Sequence, residues 1–364
     1  MRIRTISVNL GILAVGVIVL ELVFGNWLIT DNLNQLMLIR NSDWVFRIEN
    51  NHPYTHPEKY IYYSRDENGL RGESFSKASE VKILTIGGST TDQRYISEGE
   101  TWQDVMANKF NEEGFSFPVA NAGIDGHSTY GHLLALQTWI NIIEGLRPDF
   151  FLFYVGINDL FRLEPNEYDL GLGYYHDDGL HFVRRFMQKS ALYHVFRVIN
   201  GSLAIKSKKA GHSKVNFSEL NWKEQVWDEQ RIMKTKQIYG SYLLDYSSRL
   251  EALCALTQDH ATTPVFVTQS SAKGLNRGKT FEYSAGWGDD SVYRLRALND
   301  VTMESCRRCV RAICLDLAAE LFLTADDYYD AAHNTPKGAK KIGTFLTEKL
   351  LPYIDASQRD SRYD

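Results

Sequence analysis

Residues 149–155, Asp-Phe-Phe-Leu-Phe-Tyr-Val, are apolar at six consecutive positions. In a strand, such a run sends apolar side chains to both faces of the sheet, which requires helices on both sides and so predicts the middle of a parallel α/β sheet. A second run, Val81-Lys-Ile-Leu-Thr-Ile, predicts another strand and stops at Gly87-Gly88-Ser89. The two glycines allow a sharp turn and leave room for a ligand to approach the hydroxyl of Ser89. Shorter strands are expected at 117–123, 263–268 and 312–316. Helical spacing recurs near 101–110, 132–144, 230–258, 291–311 and 336–353, where Thr335-Pro336 makes a helix start. Strands alternating with helices define an α/β fold with a parallel sheet.

Flanking segments depart from this pattern. Arg2 and Arg4 precede an apolar stretch from Ile6 to Ile29, broken by Asn9, Glu21 and Asn26. About 20 apolar residues span a bilayer, and the leading positive charges place the N-terminus inside. Residues 1–30 are therefore expected to form a single-pass anchor in the cell inner membrane, leaving the rest of the chain on the extracytoplasmic, periplasmic side. Residues 31–80 read as an irregular approach that packs on a catalytic domain at 81–356, and 357–364 as a polar tail. The domain is interrupted at about 161–228 by Tyr-, His- and Lys-rich sequence of no clean period, read as an insertion. Within it, His176 and His181 lack metal-ligand spacing, and Lys206, Lys208 and Lys209 read as a solvated cluster.

A net charge of -5 gives no basic field for nucleic acid. Four cysteines in 364 residues do not announce a disulfide scaffold, and Cys306 and Cys309, three apart on an expected helix, are poorly placed to pair with each other. Neither a metal nor a cofactor is implied.

Open α/β sheets bind ligands beyond the C-terminal ends of their strands. Ser89, Gly126 and Asn158 all follow such ends, while Asp330 and His333 fall in the loop before the last helix. Acyl transfer by a serine needs a base, an acid group to orient the base, and donors aimed at the developing oxyanion. His333 can be the base and Asp330 its partner. The Ser89 amide, the Gly126 amide and the Asn158 side chain can be the donors, with Gly123 as an alternative glycine. Thr91 stands where an α/β-hydrolase elbow has its second glycine, so that motif is absent.

Gly87-Gly88-Ser89, Asn121-Ala-Gly-Ile-Asp-Gly126, Gly156-Ile-Asn158-Asp159 and Asp330-Ala-Ala-His333 resemble, in order, four sequence blocks of the SGNH (GDSL-type) hydrolases. The resemblance covers about 81–159 and 263–354. It implies a flavodoxin-like three-layer sandwich around a central parallel sheet, with a Ser89–His333–Asp330 triad and an oxyanion hole of Ser89, Gly126 and Asn158. Gly88 departs from the aspartate usual before the serine. With the expected topology and aromatic-rich composition, the expectation is an anchored esterase that removes acyl groups, acetyl above all, from a cell-envelope glycan. Alternatives are a lysophospholipase or thioesterase acting on lipid substrates, a glycan O-acyltransferase, and a non-catalytic glycan-binding or assembly protein.

Overall fold

The computed structural model describes residues 2–25, 38–47, 60–160, 162–166, 168–172, 189–193, 215–260 and 262–360, with Trp27, Leu33, Leu36, Met187, Val195 and Phe196. His176, His181 and the Lys206–Lys209 cluster lie outside these residues, as does most of the expected insertion.

Two compact units make up the chain. The first comprises residues 1–38 and 170–211. Its main element is helix α1 (Arg2–Phe24), whose apolar side chains from Val8 to Phe24 are exposed. Among the described residues no helix is long and apolar enough to cross a membrane, so the expected spanning helix is not found there. Glu21, the charged interruption in the apolar run, finds its partners within the chain. Its carboxylate accepts from Trp27 Nε1 at 2.9 Å, Ser190 Oγ at 2.7 Å, and the amides of Ala191 and Leu192 at 2.9 and 3.1 Å.

The second unit, residues 39–169 and 212–364, holds the expected α/β core. In chain order its first elements are β1 (Ser42–Arg47), β2 (Tyr60–Arg65), β3 (Ile83–Gly87), α2 (Ser89–Asp92), α3 (Trp102–Glu112), β4 (Val119–Asn121), α4 (Thr129–Thr138) and β5 (Phe150–Tyr154). They continue as β6 (Trp222–Val226), α5 (Glu229–Ile238), α6 (Gly240–Asp259), β7 (Thr263–Val267), β8 (Leu275–Asn276), β9 (Thr280–Ser284), α7 (Asp290–Arg308), β10 (Ile313–Leu315), α8 (Leu317–Glu320) and α9 (Pro336–Asp360).

All five strands expected from the sequence join one sheet in the order β10-β7-β5-β3-β4, every pair parallel. Counting only these five in chain order, the arrangement is 2-1-3-4-5, so strand order reverses between β3 and β5. Every residue of β3, β4 and β5 is buried, as a sheet covered on both faces requires. On one face, α3 packs along α9, and Trp102, Met106 and Phe110 join Ile342, Leu346 and Leu350 in a core that includes Leu152 and Val265. Helices α4, α6 and α7 pack in sequence on one another, with α4 also meeting β3 and α6 and α7 meeting β7.

Four features are not those expected. The approach segment contains an antiparallel hairpin, β1 with β2, and its Arg71 pairs by backbone with Asn121 at the sheet edge. The helix expected over 230–258 is two helices that meet at Tyr239. Part of the presumed insertion is ordered as β6, which pairs with β9 in a small antiparallel sheet completed by β8. The last helix also runs through the start of the presumed tail to Asp360.

The cysteines correct a sequence expectation. Cys306 and Cys309 do not pair with each other, but each is bonded elsewhere: Cys254 to Cys309 and Cys306 to Cys314, with Cα separations of 6.0 and 5.8 Å. The reason is that α7 ends at Arg308 and Cys309 already has an extended backbone, so the two sulfurs no longer share a helix face. The first bridge ties α6 to the end of α7, and the second ties α7 to β10. Closing a 55-residue interval stabilises a fold by about 2–4 kcal/mol. Thiol titration of the denatured, unreduced protein is expected to find no free cysteine, and Cys254→Ser with Cys309→Ser to lower the unfolding free energy by about 2–4 kcal/mol. Four titratable thiols would contradict the pairing.

Candidate active site

The C-terminal ends of β3 and β5, the strands that flank the reversal, deliver Ser89 and Asn158. Ser89 opens the four-residue helix α2, which is closed by bonds from the Thr91 and Asp92 amides to Gly88 O and from Gln93 N to Ser89 O. Its hydroxyl oxygen lies 2.7 Å from His333 Nε2, across 244 residues of sequence. His333 Nδ1 is 2.7 Å from Asp330 Oδ2 and 2.9 Å from Oδ1. Asp330 Oδ1 also accepts from the backbone amides of Ala332 and His333, at 2.8 and 2.7 Å.

Burial acts to raise the Asp330 pKa, but the ring of His333 and the two amides outweigh it and hold the carboxyl below its ordinary value. An ionised carboxylate can only accept, so Nδ1 carries a proton, and in the neutral ring the Nε2 lone pair faces Ser89. The ring is held flat against Tyr329, centroids 5.5 Å apart and planes 11° apart. Such a chain can take a proton from the serine hydroxyl and return it to a leaving group.

The other two expected positions adjoin the serine. Asn158 Nδ2 donates to His127 O at 2.8 Å, which ties its loop to the one that holds Gly126. Gly126 has φ +80°, and a Cβ there would meet the Tyr168 ring at 2.6 Å. Among the described residues, the Ser89 and Gly126 amides donate to no other group. Gly123 is not available in the same way, since its amide donates to Asn121 Oδ1 at 2.8 Å. The unusual Gly88 also has a steric explanation. A Cβ there would stand 2.1 Å from Asn158 Nδ2 and 2.8 Å from His127 O, so the Asn158 side chain occupies the space an aspartate would need.

Several supporting residues carried no recognisable signal in the sequence. Asp92, three residues beyond Ser89, is buried and binds Tyr63 Oη at 2.8 Å and Arg65 at 2.7 Å. Arg65 also reaches Gly123 O, while Arg71 holds the carbonyls of Asp92, Gln93 and Ile96. The approach segment thus braces the end of α2. Asp169 accepts from the Ser128 amide and hydroxyl and the Gly131 amide, fixing the start of α4 just after Gly126. These groups act through distant pairings that local spacing does not encode. The described residues contain no cluster of His, Cys, Asp and Glu able to hold a metal ion.

The chemistry and the fold together define an α/β protein with a serine, a histidine and an aspartate bonded in series at a topological switch point. A family model, the GDSL-like Lipase/Acylhydrolase family, matches residues 85–341, and the chain belongs to that family. It is a hydrolase of ester bonds. No curated protein matches it. Similar solved structures include a catalytic mutant of an acetylxylan esterase from Geobacillus stearothermophilus, 14% identical over 78% of this chain and 96% of the other, with a TM-score of 0.41. The psychrotrophic esterase EstA from Pseudoalteromonas sp. is 12% identical over 75% and 98%, TM-score 0.40. An alpha/beta hydrolase enzyme from the metagenome of Lake Arreo, Spain, is 15% identical over 76% and 97%, TM-score 0.39.

Asp159, beside Asn158, is wholly buried and receives bonds from the Thr129 amide and hydroxyl, with Arg249 at 3.4 Å. Burial dominates these contacts and pushes its pKa from 3.8 up to about 6. The folded state therefore holds this proton more tightly than the unfolded chain. That contribution is complete below the ordinary value and is lost as pH rises through 6. Relative to the native chain, Asp159→Asn should gain about 1–3 kcal/mol of unfolding free energy between pH 4.5 and 7.5, measured in urea. A difference that does not change with pH would contradict this assignment.

Proposed function

We propose that the chain is a serine esterase that removes acyl groups, acetyl above all, from a cell-envelope glycan. The observation that carries the reading is the unbroken Ser89–His333–Asp330 series. Ser89 Oγ attacks the ester carbonyl while its proton passes to His333 Nε2. The tetrahedral oxyanion forms opposite the Ser89 and Gly126 amides and the Asn158 side chain, and Asp330 stabilises the imidazolium. Collapse expels the sugar alcohol, which takes the proton from Nε2 and leaves Ser89 acylated. Water, deprotonated by the same nitrogen, then releases the acid and restores the hydroxyl.

The proposed setting is extracytoplasmic, with the chain attached to the inner membrane by its N-terminal segment. Two disulfides support an oxidising compartment, and Arg2 and Arg4 ahead of an exposed apolar helix support attachment. The glycan is supported by that location and by Tyr168, whose ring lies against Gly126 and remains 55% exposed, as a sugar-stacking surface would.

One observation favours a second reading, hydrolysis of long-chain lipid esters or thioesters. A mostly apolar cleft of about 320 Å³ is lined by Leu160, two residues past Asn158 in sequence, and by Leu163, Ile238, Leu243 and Leu298. Nitrophenyl acetate and nitrophenyl decanoate distinguish the two. The full-length chain should favour the acetate, and Ser89→Ala or His333→Ala should each lower kcat by at least about a thousandfold. Preference for the decanoate would select the lipid reading, and undiminished turnover by Ser89→Ala would end both.

A further inference from the structure

We propose that Gln269 is a positioning residue that fixes the spacing between Ser89 and Asn158, an inference that rests on the esterase reading above. Strand pairing holds β3 and β5 together only as far as Gly87 opposite Tyr154. Beyond that register the α2 helix and the Asn158 loop are free of the ladder, and side chains must set the distance between them. Asn158 itself is tied to His127, on the Gly126 side, and packs on Gly88, but no hydrogen bond of its own side chain reaches α2.

Gln269, two residues past the end of β7 and 2% exposed, reaches both. Its Oε1 accepts from the amide of Ile157, the residue before Asn158, at 2.6 Å. Its Nε2 donates to Oγ1 of Thr90, the residue after Ser89, at 2.8 Å, and to Tyr154 O at 3.2 Å. Only one orientation of the amide satisfies a backbone N–H at one end and a backbone carbonyl at the other, so the side chain cannot flip without losing both.

The strut is anchored at its base as well. Asn299 Oδ1 accepts from the Gln269 amide at 3.2 Å, and Asn299 Nδ2 donates to the Gln269 carbonyl at 2.8 Å. The loop with Asp330 and His333 is held separately, through Ala331 O, which accepts from Ser271 Oγ and the Ala272 amide at 2.8 and 3.0 Å. Loss of the Gln269 amide would therefore take the acceptor from Ile157 N and loosen the Asn158 loop on its Ser89 side, while the proton-transfer series stays in place. Misplacement by about 1 Å costs about a hundredfold in rate where reacting groups must be aligned.

The test measures kcat, KM, the pH dependence of kcat and the melting temperature of the full-length chain on nitrophenyl acetate. Gln269→Met is expected to lower kcat about 10- to 100-fold, with KM within about twofold and the midpoint of the acid limb of kcat unmoved. Thr90→Val, which deletes only the acceptor at the far end of the strut, should lower kcat about three- to tenfold in the same manner, and it decides the matter if Gln269→Met does not fold. Lower melting temperatures with unchanged kcat would reduce Gln269 to a packing role and overturn the inference. Wild-type turnover that survives Ser89→Ala would overturn the esterase reading, and the inference with it.

Discussion

One hydrogen bond joins residues 244 apart in sequence, from the hydroxyl at the end of β3 to the imidazole in the loop before the last helix. Neither residue has a local reason to meet the other. The meeting follows from the parallel sheet, because strands that run the same way must all end on the same edge, and right-handed crossovers return the chain to that edge after each helix. The strand order adds the second condition. Reversal between β3 and β5 opens a crevice between the loops that follow them, and Ser89 and Asn158 stand on its two sides.

Holding that crevice rigid takes buried polar groups, which are costly unless each is paired. The Asp92 carboxylate lies between Tyr63, Arg65 and Arg94, and removing one partner would strand a charge in the interior. Arg65 and Arg71, from the approach segment, also donate to backbone carbonyls of the loops behind Ser89 and Gly126. Residues 60–71 thus belong physically to the site, although they lie outside the α/β repeat. On the opposite flank, Asp159, Thr129 and Arg249 perform the same service for the Asn158 loop.

The sheet was legible in the sequence because a doubly covered strand must be apolar throughout, and β5 and β3 advertise it. The candidate site was legible because glycines, a serine, an asparagine and an Asp-x-x-His end these elements in a fixed order. What escaped had its cause in tertiary placement. The disulfides depend on α7 stopping at Arg308, one residue before Cys309, and helix ends are the least certain part of any pattern. The roles of Arg65, Asp169 and Gln269 depend on neighbours 27 to 179 residues away, and an isolated arginine, aspartate or glutamine looks the same on a solvated surface. The hairpin of β1 and β2 lay in a stretch whose mixture of aromatic and charged residues hides its period, since Arg65 is buried where the pattern expects an apolar side chain.

The central claim is that one small volume lies within reach of the Ser89 hydroxyl, the His333 imidazole and three oxyanion donors. A crystal structure of the full-length chain reacted with a fluorophosphonate measures this most directly. Phosphorus bonded to Ser89 Oγ, with the phosphonyl oxygen about 3 Å from the Ser89 and Gly126 amides and from Asn158 Nδ2, is the result expected. Phosphorus on another residue, or a phosphonyl oxygen turned away from all three donors, would contradict it.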